Sequence, residues 1–335
     1  MELALNGARI VVLGSNSFGG SSLISRLLSD GADVIGINRS PEGSMMFLQH
    51  RWPMSPGKYS FLQADLNKNL PKIAEIIHRF QPSVLFDFAG QGMVAESWEH
   101  PDQWYTTNIV AKVRLHQALL ECQSMRRYIR VSTPEVYGTQ SSAACESWNF
   151  NPSTPYAVSH AAIDMSLRAY HQRYGFPVVF TRFANFYGPG QQLYRLIPKA
   201  IICGLTNRRL PLHGGGTAVR AFIYGSDVAD GLVKAMNFGR AGEVYHFSPH
   251  KFWTILQVVE AVSEHLAIDL DALISMADDR PSKDHAYLMD SQRARSELGW
   301  DSRVDLSTGI ESTANWVRRN LAEISSLPLH YIHKV

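Results

Sequence analysis

At 335 residues the chain is long enough for one large α/β domain carrying a smaller substrate-binding portion, or for two modest domains. With 32 Lys and Arg against 30 Asp and Glu, a formal charge of +2, it is not a protein ruled by nucleic-acid or anionic-membrane electrostatics. Three scattered cysteines, Cys122, Cys145 and Cys203, speak against a disulfide framework and a zinc site, and no apolar run reaches the roughly 20 residues of a membrane span, so a soluble, cytoplasmic protein with neither a nucleic-acid nor a membrane partner is expected.

Arg9–Leu13 reads as a short apolar strand running into Gly14-Ser15-Asn16-Ser17-Phe18-Gly19-Gly20, after which Leu23, Ile24, Leu27 and Leu28 recur at helical spacing. Strand, tight turn and helix in this order let backbone N–H groups and a helix amino terminus face a pyrophosphate, although a plain strand-to-helix connection shares the pattern. A second strand at 33–37 ends at Asn38-Arg39-Ser40, where a dinucleotide fold meets the adenosine ribose. No acidic residue stands there to repel a 2′-phosphate, and Asn38 beside Arg39 tilts the cofactor from NAD towards NADP; a solvated surface arginine is the plainer alternative.

A third strand at 59–63 leads to Asp65 and Leu66, with Asp65 a partner for the adenine amino group. Helix 69–80 carries Ile73, Ile76, Ile77 and Phe80 on one side, and 83–88 is almost wholly apolar, as a parallel strand covered on both faces should be. The small residues of the loop Ala89-Gly90-Gln91-Gly92-Met93-Val94 would let the backbone pass close to the nicotinamide half of a cofactor. A helix at 101–122 carries Asn108, and a β-branched, apolar strand at 128–131 then opens into Ser132-Thr133-Pro134-Glu135-Val136-Tyr137-Gly138.

Asn151-Pro152-Ser153-Thr154-Pro155 is a helix-start signal, and Gly175 with Pro177 ends the helix at 156–174. Tyr156 and His160, four apart on that helix, share a face, so a hydroxyl, a carboxylate and a phenol converge where chemistry sits on an open α/β sheet. After a sixth strand at 178–182 the pattern loosens: a loop through Asn185, a helix at 197–203, an extended piece at 210–213, Gly214-Gly215-Gly216, a strand at 220–224 and a helix at 227–236. The expected fold is therefore α/β, a Rossmann-type doubly wound parallel sheet in residues 1–183 with strands added from about 220–247, and a smaller mixed α/β substrate-binding portion in 184–330. The thirteen histidines show no HExxH or paired ligand spacing, so no metal is expected.

With these residues assembled, the chain resembles the extended short-chain dehydrogenase/reductase family of NAD-dependent epimerases and dehydratases, and within it the nucleotide-sugar 4,6-dehydratases acting on dTDP-glucose, CDP-glucose or GDP-mannose. The resemblance rests on Thr107-Asn108-Ile109-Val110, Ser132-Thr133 with Glu135-Val136-Tyr137-Gly138, Asn185 with Tyr187-Gly188-Pro189, Leu196-Ile197-Pro198, Val219-Arg220, and Asp279-Arg280-Pro281 with Asp284 and Tyr287. It implies that Tyr156, as phenolate, takes the proton of the sugar C4 hydroxyl while Thr133 holds the same oxygen, and that Glu135 removes the C5 proton. Loss of the C6 hydroxyl and hydride return to C6 would give a 4-keto-6-deoxy sugar nucleotide.

The same resemblance puts the cofactor, NADP or NAD, against Gly14, Asn16, Ser17, Phe18, Gly20, Asn38, Arg39, Asp65, Leu66, Ala89, Gln91, Asn108, Tyr156 and His160. The nucleotide-diphosphate sugar falls against Gln91, Met93, Asn185, Leu196, Ile197, Arg220 and Arg280. His213 is either a base-stacking residue or a satisfied loop histidine. The helices at 101–122 and 156–174 are implied to pair across a homodimer axis.

Four positions depart from the family pattern. Ser17 replaces a glycine, its hydroxyl placed to donate to phosphate; Pro134 replaces the aspartate that protonates the departing hydroxyl; Gly92 and Met93 replace polar groups near the hexose. His160 replaces the lysine that lowers the tyrosine pKa, so slow turnover or an alkaline optimum is expected. A C4 epimerase, a 5,6-dehydratase and a catalytically silent cofactor- or sugar-binding protein remain alternatives.

Overall fold

The computed structural model describes residues 3–140, 142–278 and 286–334. Seven parallel strands form the central sheet: β1 (Arg9–Leu13), β2 (Asp33–Asn38), β3 (Lys58–Gln63), β4 (Val84–Asp87), β5 (Arg127–Ser132), β6 (Val178–Phe183) and β7 (Val244–Phe247). They lie in the order β7-β6-β5-β4-β1-β2-β3, so the winding reverses between β1 and β4. Ligands on such sheets bind in the crevice outside the carboxyl ends at that reversal. The register aligns those ends, with Leu13 opposite both Ile37 and Asp87, Asp87 opposite Arg130, and Ser132 opposite Arg182.

The helices form where the chain offers caps. Ser17 accepts a hydrogen bond from Gly20 N (3.0 Å) at the start of α1 (Phe18–Ser29), and apolar residues at helical spacing bury that helix against the sheet. On the other face lie α2 (Leu70–Phe80) and α3 (Lys112–Leu119). Thr154 accepts from Ala157 N (3.1 Å) at the head of α4 (Pro155–Tyr174), Pro155 sits in the first turn, and Gly175 in the left-handed region (φ 66°) ends it.

The expected helix at 101–122 is continuous in direction but not uniform. Pro101–Tyr105 is α-helical, Thr106–Ala111 widens into a π-turn, and α3 stops at Leu119. Such widened turns cluster at functional sites, and Asn108 lies inside this one. Beyond β6 the smaller portion is built from two-stranded pairs, including Asn185–Tyr187 with Phe222–Tyr224, and from helices Leu196–Leu205, Ile255–Leu266 and Leu306–Arg319. They close over their own apolar core, which includes Ile197, Ile201, Val258, Val262, Ile310 and Trp316. Trp300 instead packs edge-on against Phe247 of β7, tying a late segment to the main sheet.

Five charged side chains are packed where the sheet meets α3 and α4: Asp87, Arg130 and Arg182 from the strands and Lys112 and Asp164 from the helices, none more than 1% exposed. Asp87 accepts from Lys112 Nζ at both carboxylate oxygens (3.0 and 2.7 Å) and from the Tyr128 hydroxyl (2.8 Å). Asp164 accepts from Arg130 Nε (3.2 Å), Arg182 Nη2 (3.0 Å) and Ser132 Oγ (2.6 Å). Arg182 also donates to the Tyr137 hydroxyl (2.7 Å), which lies 2.8 Å from His246 Nε2 on β7. Since His246 Nδ1 must donate to the Asp290 carbonyl (3.1 Å), Nε2 accepts from Tyr137. Burial, then the charge of Arg182, pushes His246 down to about 3, so the ring stays neutral.

Burying charge is expensive, and removing one partner leaves the others uncompensated. Asp164→Asn, which strips the carboxylate shared by Arg130 and Arg182, is expected to lower the unfolding free energy by about 3–5 kcal/mol, read from denaturant melts. A loss below about 1 kcal/mol would match an exposed pair instead and contradict this account.

Candidate active site

Two connected clefts open at the carboxyl ends of the strands. The first, about 550 Å³, lies between β1, β2 and the loop after β4 and is lined by Gly14, Asn16, Ser17, Asn38, Arg39, Asp65, Leu66 and Ala89. The second, about 490 Å³, runs over β5 and α4 and holds Phe18, Gln91, Thr133, Glu135, Tyr156, His160, Asn185, Leu196 and Ile197. They share Ser17, Ala89 and Gly90, so one elongated molecule could lie across both.

The turn after β1 fits a dinucleotide pyrophosphate on steric grounds. Gly14 has φ 78°, and a Cβ there would stand 2.9 Å from Ala89 N; a Cβ on Gly20 would stand 2.5 Å from Gly14 O. Only glycine lets this turn fold against the loop after β4 while α1 starts close behind it. Ser17 is spent inside the turn, contrary to the expectation of a bond to phosphate: its hydroxyl donates to Gly14 O (2.7 Å) while accepting from Gly20 N. Asn16 Nδ2 donates to the carbonyls of Ser40 (3.2 Å) and Pro41 (3.0 Å), and Asn38 Nδ2 to Ser40 O (3.1 Å), which fixes the ribose-side loop.

One element of this cleft carries no sequence signal. Residues 327–334 cross it, Tyr331 edge-on to Tyr194 (5.3 Å) and His333 stacked on Trp104 (5.5 Å) with Nε2 2.6 Å from Gln103 Oε1. The Lys334 carbonyl accepts from Arg39 Nη2 (2.9 Å) and Gln91 Nε2 (2.8 Å), so both of these expected ligand contacts are held by the chain itself.

In the second cleft, Thr133 directly follows β5 and accepts from Glu135 N (3.3 Å) at the start of the short 3-10 turn Pro134–Tyr137. Tyr156 and His160 lie on one face of α4 with ring centroids 4.6 Å apart. Burial first, and then the charge of Glu135, drive the Tyr156 phenol well above its ordinary value; a hydrogen bond with Thr133 and the charges of Arg195 and Arg130 pull the other way. His160 is pushed well below its ordinary value, by burial first and then by Arg130, Lys112 and Arg182. It is neutral at pH 7, so it does not carry a lysine's charge at this position.

Several expected contacts fall elsewhere. Asn108 lines neither cleft: it is 1% exposed, its Oδ1 accepts from Gln91 N (2.7 Å), and its Nδ2 donates to Gln91 O (3.1 Å) and Ser159 Oγ (3.0 Å). It therefore holds the loop after β4 against α4, because a planar amide can satisfy a backbone N–H and carbonyl together. Met93, in the left-handed region (φ 72°), and His213, whose Nδ1 bonds the Asp278 carbonyl (2.8 Å), also line neither cleft. Arg220 lies behind the wall, its guanidinium 4.2 Å from the ring of Tyr287, which does line the second cleft. Arg280 lies outside the described residues. Among the described residues no three His, Cys, Asp or Glu side chains come together to hold a metal. Arg130, which also lines the second cleft, is a further site residue missed from sequence; with Arg127 in the same strand, its charge gave no distinct signal.

Residues 11–313 match the family described as GDP-mannose 4,6 dehydratase. A mouse dTDP-D-glucose 4,6-dehydratase is 30% identical over 320 residues, 93% of this chain and 89% of that protein. A trifunctional Arabidopsis thaliana protein that includes a UDP-glucose 4,6-dehydratase is 32% identical over 240 residues; the matched region is 70% of this chain but only 36% of that protein. The crystal structure of the Streptomyces venezuelae dTDP-glucose 4,6-dehydratase DesIV, with NAD bound, superposes with a TM-score of 0.85 at 29% identity, over 94% of this chain and 98% of that one. The glycine turn, the paired clefts and a match spanning most of its length together show that the chain belongs to the GDP-mannose 4,6-dehydratase family.

Proposed function

We propose that this chain is a nucleotide-sugar 4,6-dehydratase with a tightly held NAD(P). The observation that carries the reading is the presence of Thr133, Glu135 and Tyr156 in one cleft that joins a dinucleotide-shaped cleft at Gly90. When bound, the dinucleotide supplies the acceptor that takes hydride from C4 and gives it back at C6. Tyr156 takes the C4 hydroxyl proton, and Thr133, lining the same cleft, keeps the oxygen in line. Glu135 removes the C5 proton made acidic by the C4 carbonyl. It is the one carboxyl group among the described residues lining this cleft, so the same proton passes from Glu135 to the departing C6 hydroxyl, which leaves as water. C5 then takes a proton from solvent and Tyr156 gives the C4 proton back to solvent, so the net change is loss of water.

Support for NADP over NAD comes from the charge of Arg39 at the ribose end, held in place by the Lys334 carbonyl, and from Asp65 being the one carboxylate among the described residues lining this cleft. Support for a homodimer comes from apolar side chains left in the open on the two helical segments: Val110 at 44%, Val158 at 38% and Met165 at 60% exposure. No helix among the described residues is long and apolar enough to cross a membrane, and with none of its three cysteines paired we read the cytoplasm as its compartment.

Incubation with a panel of nucleotide sugars in deuterated water tests the reaction. A dehydratase places deuterium at C5 of a product lacking its C6 hydroxyl; a C4 epimerase leaves C5 unlabelled, and a silent binder changes nothing. Glu135→Gln is expected to lower turnover by about 10²–10⁴-fold and abolish C5 exchange, and intact exchange would sink its role as base. Because the Tyr156 phenol is raised, kcat should climb from pH 7 to 9; a flat profile there would contradict the assignment. Denaturing the purified protein should release NADP in excess of NAD, and Arg39→Asp should reverse that ratio. Sedimentation should give twice the chain mass, with Val158→Glu/Met165→Glu shifting it to monomer.

A further inference from the structure

Within that reading, we propose that Arg130 and His160 act as one unit, Arg130 being the positioning residue that fixes the imidazole tautomer and places a permanent positive charge behind Tyr156. The guanidinium Nη2 lies 3.0 Å from His160 Nδ1, and both residues are buried. A guanidinium has only donors, so Nδ1 accepts, and the single proton of the neutral ring sits on Nε2. His160 lines the second cleft, so Nε2–H is the donor it offers there.

Arg130 cannot swing away from this task. Nε is bonded to Asp164 Oδ1, Nη1 to the Val131 carbonyl (2.9 Å), and Asp87 Oδ2 lies 3.5 Å from Nη1. Asp164 follows His160 by one turn of α4, so the helix that carries the imidazole also carries the carboxylate anchoring its donor. The charges around the ring are Arg130, Lys112 and Arg182 against Asp87 and Asp164, with Glu135 and Arg195 in the cleft beside Tyr156. Three cations against two buried carboxylates leave a surplus of one positive charge under the cleft. Burial, then the charge of Arg130, lowers Lys112 to about 8, so the surplus is present at pH 7. An uncharged donor at His160 and a fixed cation one side chain behind it together supply the hydrogen bond and the field that a single lysine would combine.

The test has two arms. With the holoenzyme selectively ¹⁵N-labelled at histidine, the His160 signal, identified by its loss in His160→Gln, should show unprotonated Nδ1 and protonated Nε2 from pH 6 to 9. A proton on Nδ1, or conversion to imidazolium in that range, overturns the proposal, whatever substrate the enzyme takes. In the second arm, Arg130→Met should lower kcat by about 10–100-fold with KM within about threefold, and move the acidic limb of the kcat profile up by about one pH unit. Arg130→Lys, which keeps donor and charge, should hold the wild-type tautomer and limb. If folded Arg130→Met keeps the wild-type pH profile, the charge has no role in Tyr156 ionisation. If Arg130→Met does not fold, the wild-type spectrum and Arg130→Lys decide: loss of the Nε2–H tautomer in the lysine variant also overturns the proposal. Absence of turnover on every sugar would defeat the dehydratase reading while leaving the first arm to decide this one.

Discussion

The structure hangs on a carboxylate with three donors. Asp164, fully buried, gathers Arg130 from β5, Arg182 from β6 and Ser132 from the end of β5 onto the helix that also presents Tyr156 and His160. A second carboxylate, Asp87 on β4, ties Lys112 and Tyr128 to the same set. Charges inside a sheet are costly unless every partner is in place, so they allow few alternative arrangements of the strands and helices that carry them. That restriction suits the second cleft, because Thr133 and Glu135 come from the turn after β5 while Tyr156 and His160 come from α4, and the two must be held in register.

The same network shapes the chemistry above it. Burial raises the Tyr156 phenol, and the buried network opposes that rise through Arg130, alongside Thr133 and Arg195 in the cleft. The neutral His160 couples to the cluster by one hydrogen bond and so remains a donor without adding a fourth cation to an already positive interior. Pro134, at the position where a general acid is missing, begins the short turn that delivers Glu135 to the cleft. Glu135 is the single carboxyl group among the described residues lining that cleft, so the proposed reaction asks one residue both to remove and to deliver the proton.

On the dinucleotide side, small polar side chains do structural work that their spacing disguises. Ser17 closes the turn on itself, and Asn108 spends its amide on the backbone of Gln91. Both stand at positions that a motif reading assigns to ligand, yet both act one step back from it. Residues 327–334 go the other way: nothing in their composition announces a site, but they reach Arg39 and Gln91 across the cleft.

Local order was readable from the chain itself. Alternating apolar strands and amphipathic helices specify the doubly wound sheet, the glycines at 14 and 20 specify a turn that side chains would block, and the four-residue spacing of Tyr156 and His160 specifies a shared helix face. Those properties depend on neighbours a few residues away, and periodicity records them. Which charges meet does not: Asp87, Arg130, Asp164 and Arg182 are separated by up to 95 positions and become partners only when β4, β5, β6 and α4 are laid side by side. The loss of Asn108, Met93 and His213 from the clefts and the gain of Arg130 in the wall of the second were likewise decided by packing, because a side chain's direction and its spare hydrogen-bonding capacity are set by the elements that press against it.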